Sequence, residues 1–189
     1  MSAGFDPAGL PEGLPVPVDD GRADHLLGLR LPALSFPATT GGFTDLAELA
    51  AGLLALFVYP RTGRPGVDAP AGWDEFPGAR GCTPQSCGFR DLRTEFDAVG
   101  CRVAGLSSQT PEYQLEAWER LHLGFPLLAD PDFRLAAALD IPTFTFDGMR
   151  LYSRLALVAR GGEIVKVFYP VFPPDRNAAD VLAWLRSTT

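Results

Sequence analysis

Two cysteines stand close together in the stretch "GARGCTPQSCGFRDL", residues 78–92. Cys82 and Cys87 follow a glycine-rich segment and open a stretch with a helical pattern. If Cys82 lies in the first turn of that helix, its sulfur is close to unpaired backbone N–H groups and to the positive end of the helix dipole. Both favour a thiolate over a thiol. The position therefore predicts that Cys82 is a nucleophile.

The spacing of the pair limits what it can do. In a continuous helix, positions five residues apart have Cα atoms about 8 to 9 Å apart, whereas a disulfide needs less than about 7 Å. A bond between Cys82 and Cys87 would therefore require this helix to unwind locally. The chain has no C-x-x-C pair, and Cys82, Cys87, Cys101, His25 and His122 do not have the spacing of a zinc site. We expect no metal.

Composition narrows the class of protein. A chain of 189 residues with 47% hydrophobic residues can bury one core. The net charge of −7, without a Lys/Arg-rich run, argues against nucleic acid or an anionic membrane surface as partner. There is neither a leader-like N-terminus nor an apolar stretch long enough to span a membrane. We expect a soluble cytoplasmic protein, and in a reducing compartment a close cysteine pair is more often catalytic, redox-sensing or metal-binding than structural.

The order of the predicted elements indicates an α/β fold. Residues 1–24 are rich in Pro, Gly and Asp and predict an extended or mobile arm, followed by a single domain over 25–189. Apolar runs predict strands, and helical periodicity and capping residues predict helices between them. The strands are expected at 53–60, 101–108, 154–159 and 163–169, and the helices at 82–99, 110–124, within 130–140 and within 175–186. This alternation predicts a mixed central sheet with helices on both faces.

Residues 61–81 form an unusually long connection between the first predicted strand and the cysteine helix. The segment is rich in glycine and proline and contains two large aromatic residues, Trp73 and Phe76. Loops of this length in a compact domain are usually functional or disordered. Our hypothesis is that it narrows or covers a pocket at Cys82. A docking surface and plain packing of the loop remain the alternatives.

The motifs around the cysteines resemble those of a known family. The "YP" that ends the first strand, together with "PGARGCTPQSCGFRD", resembles the active-site segment of the peroxiredoxins. A second cysteine five residues after the first is similar to the peroxiredoxin Q or bacterioferritin-comigratory-protein group. The resemblance continues through "LRLPALSF", "VAGLSSQTPE", "FPLLADPDFRLAAALDI" and "SRLALVARGGEIVKVF" in the same order, over residues 25–189.

This resemblance implies a thioredoxin fold and a thiol peroxidase that reduces hydrogen peroxide and organic hydroperoxides without metal, haem or flavin. It implies that Cys82 attacks the peroxide and becomes a sulfenic acid. Cys87 would then resolve it as an intramolecular disulfide, which thioredoxin or a similar dithiol protein reduces. Arg154 matches the family's arginine, which favours the thiolate and donates hydrogen bonds to the peroxide. Pro60 matches the proline that shields the site.

The sequence departs from the family pattern just before the nucleophile. The family usually has Thr or Ser three positions before the cysteine, and here that residue is Ala79. The stretch "YPRTGRPG" resembles the start of the usual motif, but Val67 stands where the cysteine would come. We expect Thr62 to supply the missing hydroxyl. The alternative is that Arg154 and backbone donors suffice.

Other functions predict different behaviour of the same residues. A redox sensor would use the disulfide switch to alter a partner interface and would turn over poorly with thioredoxin. A thioredoxin-fold protein with a structural cysteine pair would have unreactive thiols. We expect Cys101, at the start of a buried strand, to be a core residue. The hydrophobic pattern is compatible with a monomer or a homodimer.

Overall fold

The structure, a computed structural model, describes residues 9–188. Its strands are β1 (Ser35–Pro37), β2 (Phe43–Asp45), β3 (Leu53–Val58), β4 (Cys101–Ser107), β5 (Leu127–Ala129), β6 (Thr143–Phe146), β7 (Met149–Tyr152), β8 (Leu155–Arg160) and β9 (Glu163–Phe168). Its helices are α1 (Leu46–Leu49), α2 (Cys82–Asp91), α3 (Arg93–Ala98), α4 (Pro111–Arg120), α5 (Arg134–Leu139) and α6 (Asn177–Ser187).

Five strands form the central sheet, in the order β5-β4-β3-β8-β9. β3 pairs in parallel with β4, and β4 with β5, whereas β3–β8 and β8–β9 are antiparallel. The four strands predicted from the sequence are β3, β4, β8 and β9, and the turn at Gly161-Gly162 joins the last two as expected. The predicted mixed sheet is confirmed.

The sheet separates two hydrophobic clusters. Because successive side chains of a strand point to opposite faces, Leu54 and Leu56 of β3 enter one cluster, and Ala55 and Phe57 enter the other. The first cluster is covered by α1 and α5, and the second by α2, α3 and α6. The expectation of helices on both faces is confirmed.

The region predicted as one helix from Cys82 to Val99 contains two. α2 ends at Asp91, and α3 begins at Arg93, after Leu92 has left helical geometry. α4 begins as predicted, with the Thr110 hydroxyl accepting a hydrogen bond from the backbone N–H of Tyr113 at 3.3 Å. Because the helix breaks at Leu92, α2, which carries Cys82 and Cys87, is only 10 residues long.

Two small antiparallel pairs, β1–β2 and β6–β7, lie outside the central sheet and were not predicted. The β6–β7 pair matters for the site because its aromatic side chains pack on residues 61–81. Phe144 stacks on Phe76 with ring centroids 4.7 Å apart, and Phe146 meets Trp73 edge to face at 5.2 Å. Residues 61–81, hereafter the insertion, contain a single 3₁₀ turn, Trp73–Glu75.

The predicted N-terminal arm lies partly outside the described residues, because residues 1–8 are not among them. Residues 9–23 contain no helix or strand, and a 3₁₀ turn follows at Asp24–Leu26. The Arg80 guanidinium donates to the carbonyl of Gly9 at 3.0 Å, and the Tyr169 hydroxyl donates to Asp20 at 2.9 Å. Residues 9–20 therefore run from the insertion to the end of β9. The domain boundary at residue 24 stays a prediction.

Candidate active site

Cys82 is the first residue of α2, as the sequence predicts, and only 2% of it is exposed. The helix is preceded by Gly81 in the left-handed conformation, with φ of 107°. A Cβ on Gly81 would lie 2.2 Å from Cγ of Pro174, so no other residue fits there without a shift. This close approach packs the start of α2 against the segment that leads into α6.

Arg154 contacts the sulfur of Cys82. One guanidinium nitrogen, Nη2, lies 3.2 Å from Sγ. The same nitrogen donates to the backbone carbonyls of residues 78–80, at 3.3, 3.0 and 3.0 Å. Arg154 stands immediately before β8 and is 4% exposed. A buried guanidinium bound in this way fixes the chain before α2 and places its positive charge next to the thiol sulfur.

Gln85 connects Arg154 to the C-terminal helix. The other guanidinium nitrogen, Nη1, donates to Oε1 of Gln85 at 2.6 Å, and Nε2 of Gln85 donates to Oδ1 of Asn177 at 2.9 Å. All three side chains are buried, and Asn177 is the first residue of α6. Gln85 stands between the two cysteines of α2. The network therefore ties the segment between the thiols to both β8 and α6.

All three cysteines are free thiols. Cys87 lies on α2 with Cys82, as predicted, and is half-buried; burial raises the pKa of its thiol. Cys101 begins β4 and is 2% exposed, and burial raises its pKa to about 11. Cys101 thus remains protonated at neutral pH and has the surroundings of a core residue.

A small cavity of about 20 Å³ lies beside Cys82. Cys82, Thr83 and Tyr113 of the helices line it, together with a large part of the insertion. The charged side chains around it are Arg61, Arg64, Asp68 and Arg80. A cavity of this size holds about one molecule as large as water.

The two other predicted site residues, Pro60 and Thr62, do not line this cavity, although their neighbours Arg61 and Gly63 do. Thr62 is buried, but both its backbone N–H and its hydroxyl donate to Oε1 of Gln109, at 2.8 and 3.1 Å. Our expectation that the Thr62 hydroxyl serves Cys82 has no contact in the described residues to support it. Pro60 follows β3 and is buried, and it does not line the cavity.

Thr83 carries a different hydroxyl close to the nucleophile. It is 1% exposed and lines the Cys82 cavity, and its hydroxyl oxygen has no hydrogen-bond partner within residues 9–188. A threonine inside a helix can bond the carbonyl four residues earlier. Here that residue is Ala79, before the helix begins, and its carbonyl accepts from Arg154. The orphan hydroxyl is unusual, because buried polar groups are normally paired.

Neither metal ligation nor a membrane span is found in the part of the chain that the structure describes. No group of three or more His, Cys, Asp or Glu residues within 9–188 is arranged to hold a metal ion. None of the helices between those limits is both long and apolar enough to cross a bilayer.

Comparison with known proteins decides the family. The model of the Redoxin family matches residues 26–182, most of the chain. The chain belongs to the redoxin family. Within that family its relatives are peroxiredoxins, and this redoxin is a peroxiredoxin of the bacterioferritin-comigratory-protein type, a thiol peroxidase with a thioredoxin fold.

Three relatives illustrate the similarity. The peroxiredoxin Bcp of Escherichia coli K12 is 28% identical over 161 residues, which cover 82% of this chain and 92% of the relative. The crystal structure of peroxidoxin BcpB from Mycobacterium tuberculosis has a TM-score of 0.68 and 25% identity, over 86% of this chain and 97% of that one. The bacterioferritin comigratory protein of Xanthomonas campestris, described for its alkyl peroxide reduction activity, has a TM-score of 0.65 and 25% identity, over 84% and 96% of the two chains.

Several residues that build the site around Cys82 in this redoxin were not identified from the sequence. Tyr59 is fully buried, its hydroxyl donates to Gln114, and burial, with Cys82 nearby, raises its pKa. Its place in the "YP" that follows β3 was a signal that it lies near Cys82. Gln85 also had a signal, since it stands between the cysteines. No local signal indicates that Asn177 is its partner, because 92 residues separate them.

Proposed function

We propose that this peroxiredoxin reduces hydroperoxides with Cys82 as the nucleophile. The observation that supports this most directly is the pairing of a buried cysteine at the start of a helix with a buried guanidinium 3.2 Å from its sulfur. Donors fixed around a nucleophile can stabilise charge that develops in the transition state. Cys82, Arg154 and the adjoining cavity provide this arrangement.

In the first step, the Cys82 thiolate attacks one oxygen of the hydroperoxide. An S–O bond forms, the O–O bond breaks, and the departing oxygen takes up a proton and leaves as water or an alcohol. The sulfur is oxidised to a sulfenic acid and the peroxide is reduced by two electrons. Negative charge moves from the sulfur to the departing oxygen, and the Arg154 guanidinium lies where it can stabilise both.

Gln85 acts as a positioning residue for this step. Its Oε1 accepts from Nη1 of Arg154 and so holds the guanidinium in the orientation that directs Nη2 toward Cys82. A buried arginine without such an acceptor would be free to turn to other carbonyls.

Thr83 supplies the hydroxyl that the position of Ala79 lacks. Its side chain is buried at the cavity next to the nucleophile, and its oxygen has no partner among the described residues. A hydroperoxide has acceptor lone pairs on both oxygens and at least one O–H donor, so it can satisfy this hydroxyl. Thr62, bound to Gln109, is less suited to the role.

In the second step, the sulfur of Cys87 attacks the sulfenic sulfur. An S–S bond forms and water leaves. Because both cysteines lie on α2, the first turns of this helix have to unwind before the bond can form. A dithiol protein similar to thioredoxin then reduces the disulfide by thiol–disulfide exchange and is itself oxidised.

Hydrogen peroxide and organic hydroperoxides are the proposed substrates. The alkyl peroxide reduction of the Xanthomonas campestris relative supports the second class. We propose that the enzyme works in the cytoplasm as a monomer or homodimer, without nucleic acid or membrane as partner. Three free thiols and a net charge of −7 support this setting.

The test is the rate at which the reduced protein consumes one equivalent of hydrogen peroxide, followed by rapid quenching and thiol counting. The wild type should lose two thiols per peroxide, and Cys82→Ser should react at least about a thousandfold more slowly. Cys101→Ser is the control and should react at the wild-type rate, because burial keeps that thiol protonated. Rapid thiol loss in Cys82→Ser would refute the assignment of the nucleophile.

A further inference from the structure

We infer that the insertion closes the Cys82 site to bulky hydroperoxides, so that this enzyme uses hydrogen peroxide and hydroperoxides of similar size. The inference rests on the proposed function and concerns the substrate class. The cavity at the sulfur measures about 20 Å³, and Cys82 is 2% exposed. Space for about one water-sized molecule accommodates a peroxide O–O group with little attached to it.

One end of the insertion is bound to α4. The Arg64 guanidinium lies over the ring of Tyr113, 4.1 Å from its centroid, and its Nε is 3.5 Å from the carboxylate of Glu116. The guanidinium of Arg120 donates to the carbonyl of Gly63 at 2.9 Å. The stacking, the ion pair and the hydrogen bond from Arg120 hold this end of the loop against α4.

The other end is bound to the β6–β7 pair. Trp73 is 5% exposed and packs on Phe146, while Phe76 stacks on Phe144. Trp73 also lines the cavity. These aromatic contacts bury much apolar surface and so hold this end of the insertion against the β6–β7 pair. The insertion is therefore anchored on both sides of the thiol.

The lining of the cavity also disfavours an apolar substrate. Arg61, Arg64, Asp68 and Arg80 surround it, and a cumyl or similar group would have to desolvate these charges. A larger cavity of about 190 Å³ lies between the arm, the insertion and the end of β9, but Cys82 does not line it. Arg154 also lines it, so this cavity reaches the guanidinium that contacts the sulfur, although Cys82 itself is not part of its wall.

The experiment compares rates of Cys82 oxidation by hydrogen peroxide and by cumene hydroperoxide, measured by rapid quench and mass spectrometry. In the wild type, hydrogen peroxide should react about a hundredfold faster or more. Arg64→Ala releases the α4 anchor and Trp73→Ala the aromatic one. Each should speed the reaction with cumene hydroperoxide, so that the ratio of the two rates falls by about tenfold.

Arg93→Ala is the matched control. Arg93 forms an exposed ion pair with Asp97 at 3.7 Å on α3, and its loss should leave both rates unchanged. If Trp73→Ala does not fold, Arg64→Ala still decides, because that side chain is 38% exposed. Similar wild-type rates with both peroxides, or an unchanged ratio in the folded variants, would overturn the inference alone. No oxidation of Cys82 by hydrogen peroxide would remove the proposed function and the inference with it.

Discussion

At the scale of single residues, the site is built around one buried cation. Arg154 contacts the sulfur of Cys82, the carbonyls that precede it and the amide of Gln85. These groups accept from both Nη1 and Nη2, so the buried charge has partners; Nε is the one guanidinium nitrogen without a hydrogen-bond partner within residues 9–188. The same contacts that make its burial possible fix its position relative to the nucleophile.

The hydroxyl of Thr83 gives a prediction at this scale. Thr83→Val keeps the shape of the side chain and removes the oxygen, so the proposed hydrogen bond to the peroxide is lost. We expect the rate of Cys82 oxidation by hydrogen peroxide to fall about fivefold, since one such bond contributes about 1 kcal/mol. The rate is measured by stopped-flow mixing of the reduced enzyme with excess peroxide.

Two variants make this experiment specific. Thr83→Ser retains a hydroxyl and should restore most of the rate, whereas a purely structural role of the methyl group would not be rescued by serine. Thr62→Val removes the hydroxyl bound to Gln109 and should change the rate much less. A larger loss in Thr62→Val than in Thr83→Val would contradict the assignment.

The sequence allowed part of this site to be anticipated. Cys82 was singled out from its place at the start of a helix and Arg154 from the resemblance to the peroxiredoxins, and the structure brings them into contact. The partner of Thr62 could not be anticipated, because Gln109 is 47 residues away and comes from another loop. A buried hydroxyl donates to an acceptor within reach, and the tertiary fold determines which acceptor lies there.

At the scale of elements, the proposed mechanism gives α2 two roles: it presents the nucleophile, and it delays the formation of the disulfide. Gln85 binds Asn177 of α6 through a buried hydrogen bond, in the segment that has to unwind for the disulfide. Opening the helix breaks this bond and the one to Arg154. The network therefore stabilises the helical form, in which Cys82 meets the peroxide, over the unwound form that can form a disulfide.

Asn177→Ala should weaken this hold on the helix. It leaves a buried amide donor of Gln85 unpaired, at a cost of about 1 to 3 kcal/mol. We expect disulfide formation after the sulfenic acid to become about tenfold faster. The melting temperature should fall by at least about 2 °C. Both are measurable, by rapid acid quench with mass spectrometry and by calorimetry.

Ser187→Ala, at the far end of α6, is the control and should leave the rate of disulfide formation unchanged, since its hydroxyl bonds only within its own helix in the described structure. A melting temperature that falls in Asn177→Ala without faster disulfide formation would show that unwinding of α2 does not depend on this bond.

The elements themselves were predictable where their pattern is local. The strand β3 reads as a continuous apolar run, and α4 has a capping threonine followed by proline. The break at Leu92 and the β6–β7 pair were not predicted. β6 and β7 are only four residues each, and Phe144 and Phe146 pack on the insertion, whereas Tyr152 packs in a main core cluster.

At the scale of the whole molecule, the insertion and residues 9–20 pack around the end of β3 and the start of β8, where the site lies. Arg80 illustrates how they are connected, since its side chain binds both Asp74 and the carbonyl of Gly9. The sequence indicated an arm and a long loop, and the loop was expected near Cys82, but nothing in the sequence indicated that the arm would pack against the loop. Such packing depends on contacts between distant segments, which hydrophobic periodicity does not encode.

The central claim is that one helix carries both the nucleophile and the resolving thiol. The most direct test is intact-mass and peptide mapping of the reduced protein after one equivalent of hydrogen peroxide, in the wild type and in Cys87→Ser. We predict a loss of two hydrogens in a Cys82–Cys87 linkage for the wild type, and a sulfenic acid trapped at Cys82 in the variant. Oxidation that begins at Cys87 or Cys101, or a linkage that includes Cys101, would contradict it.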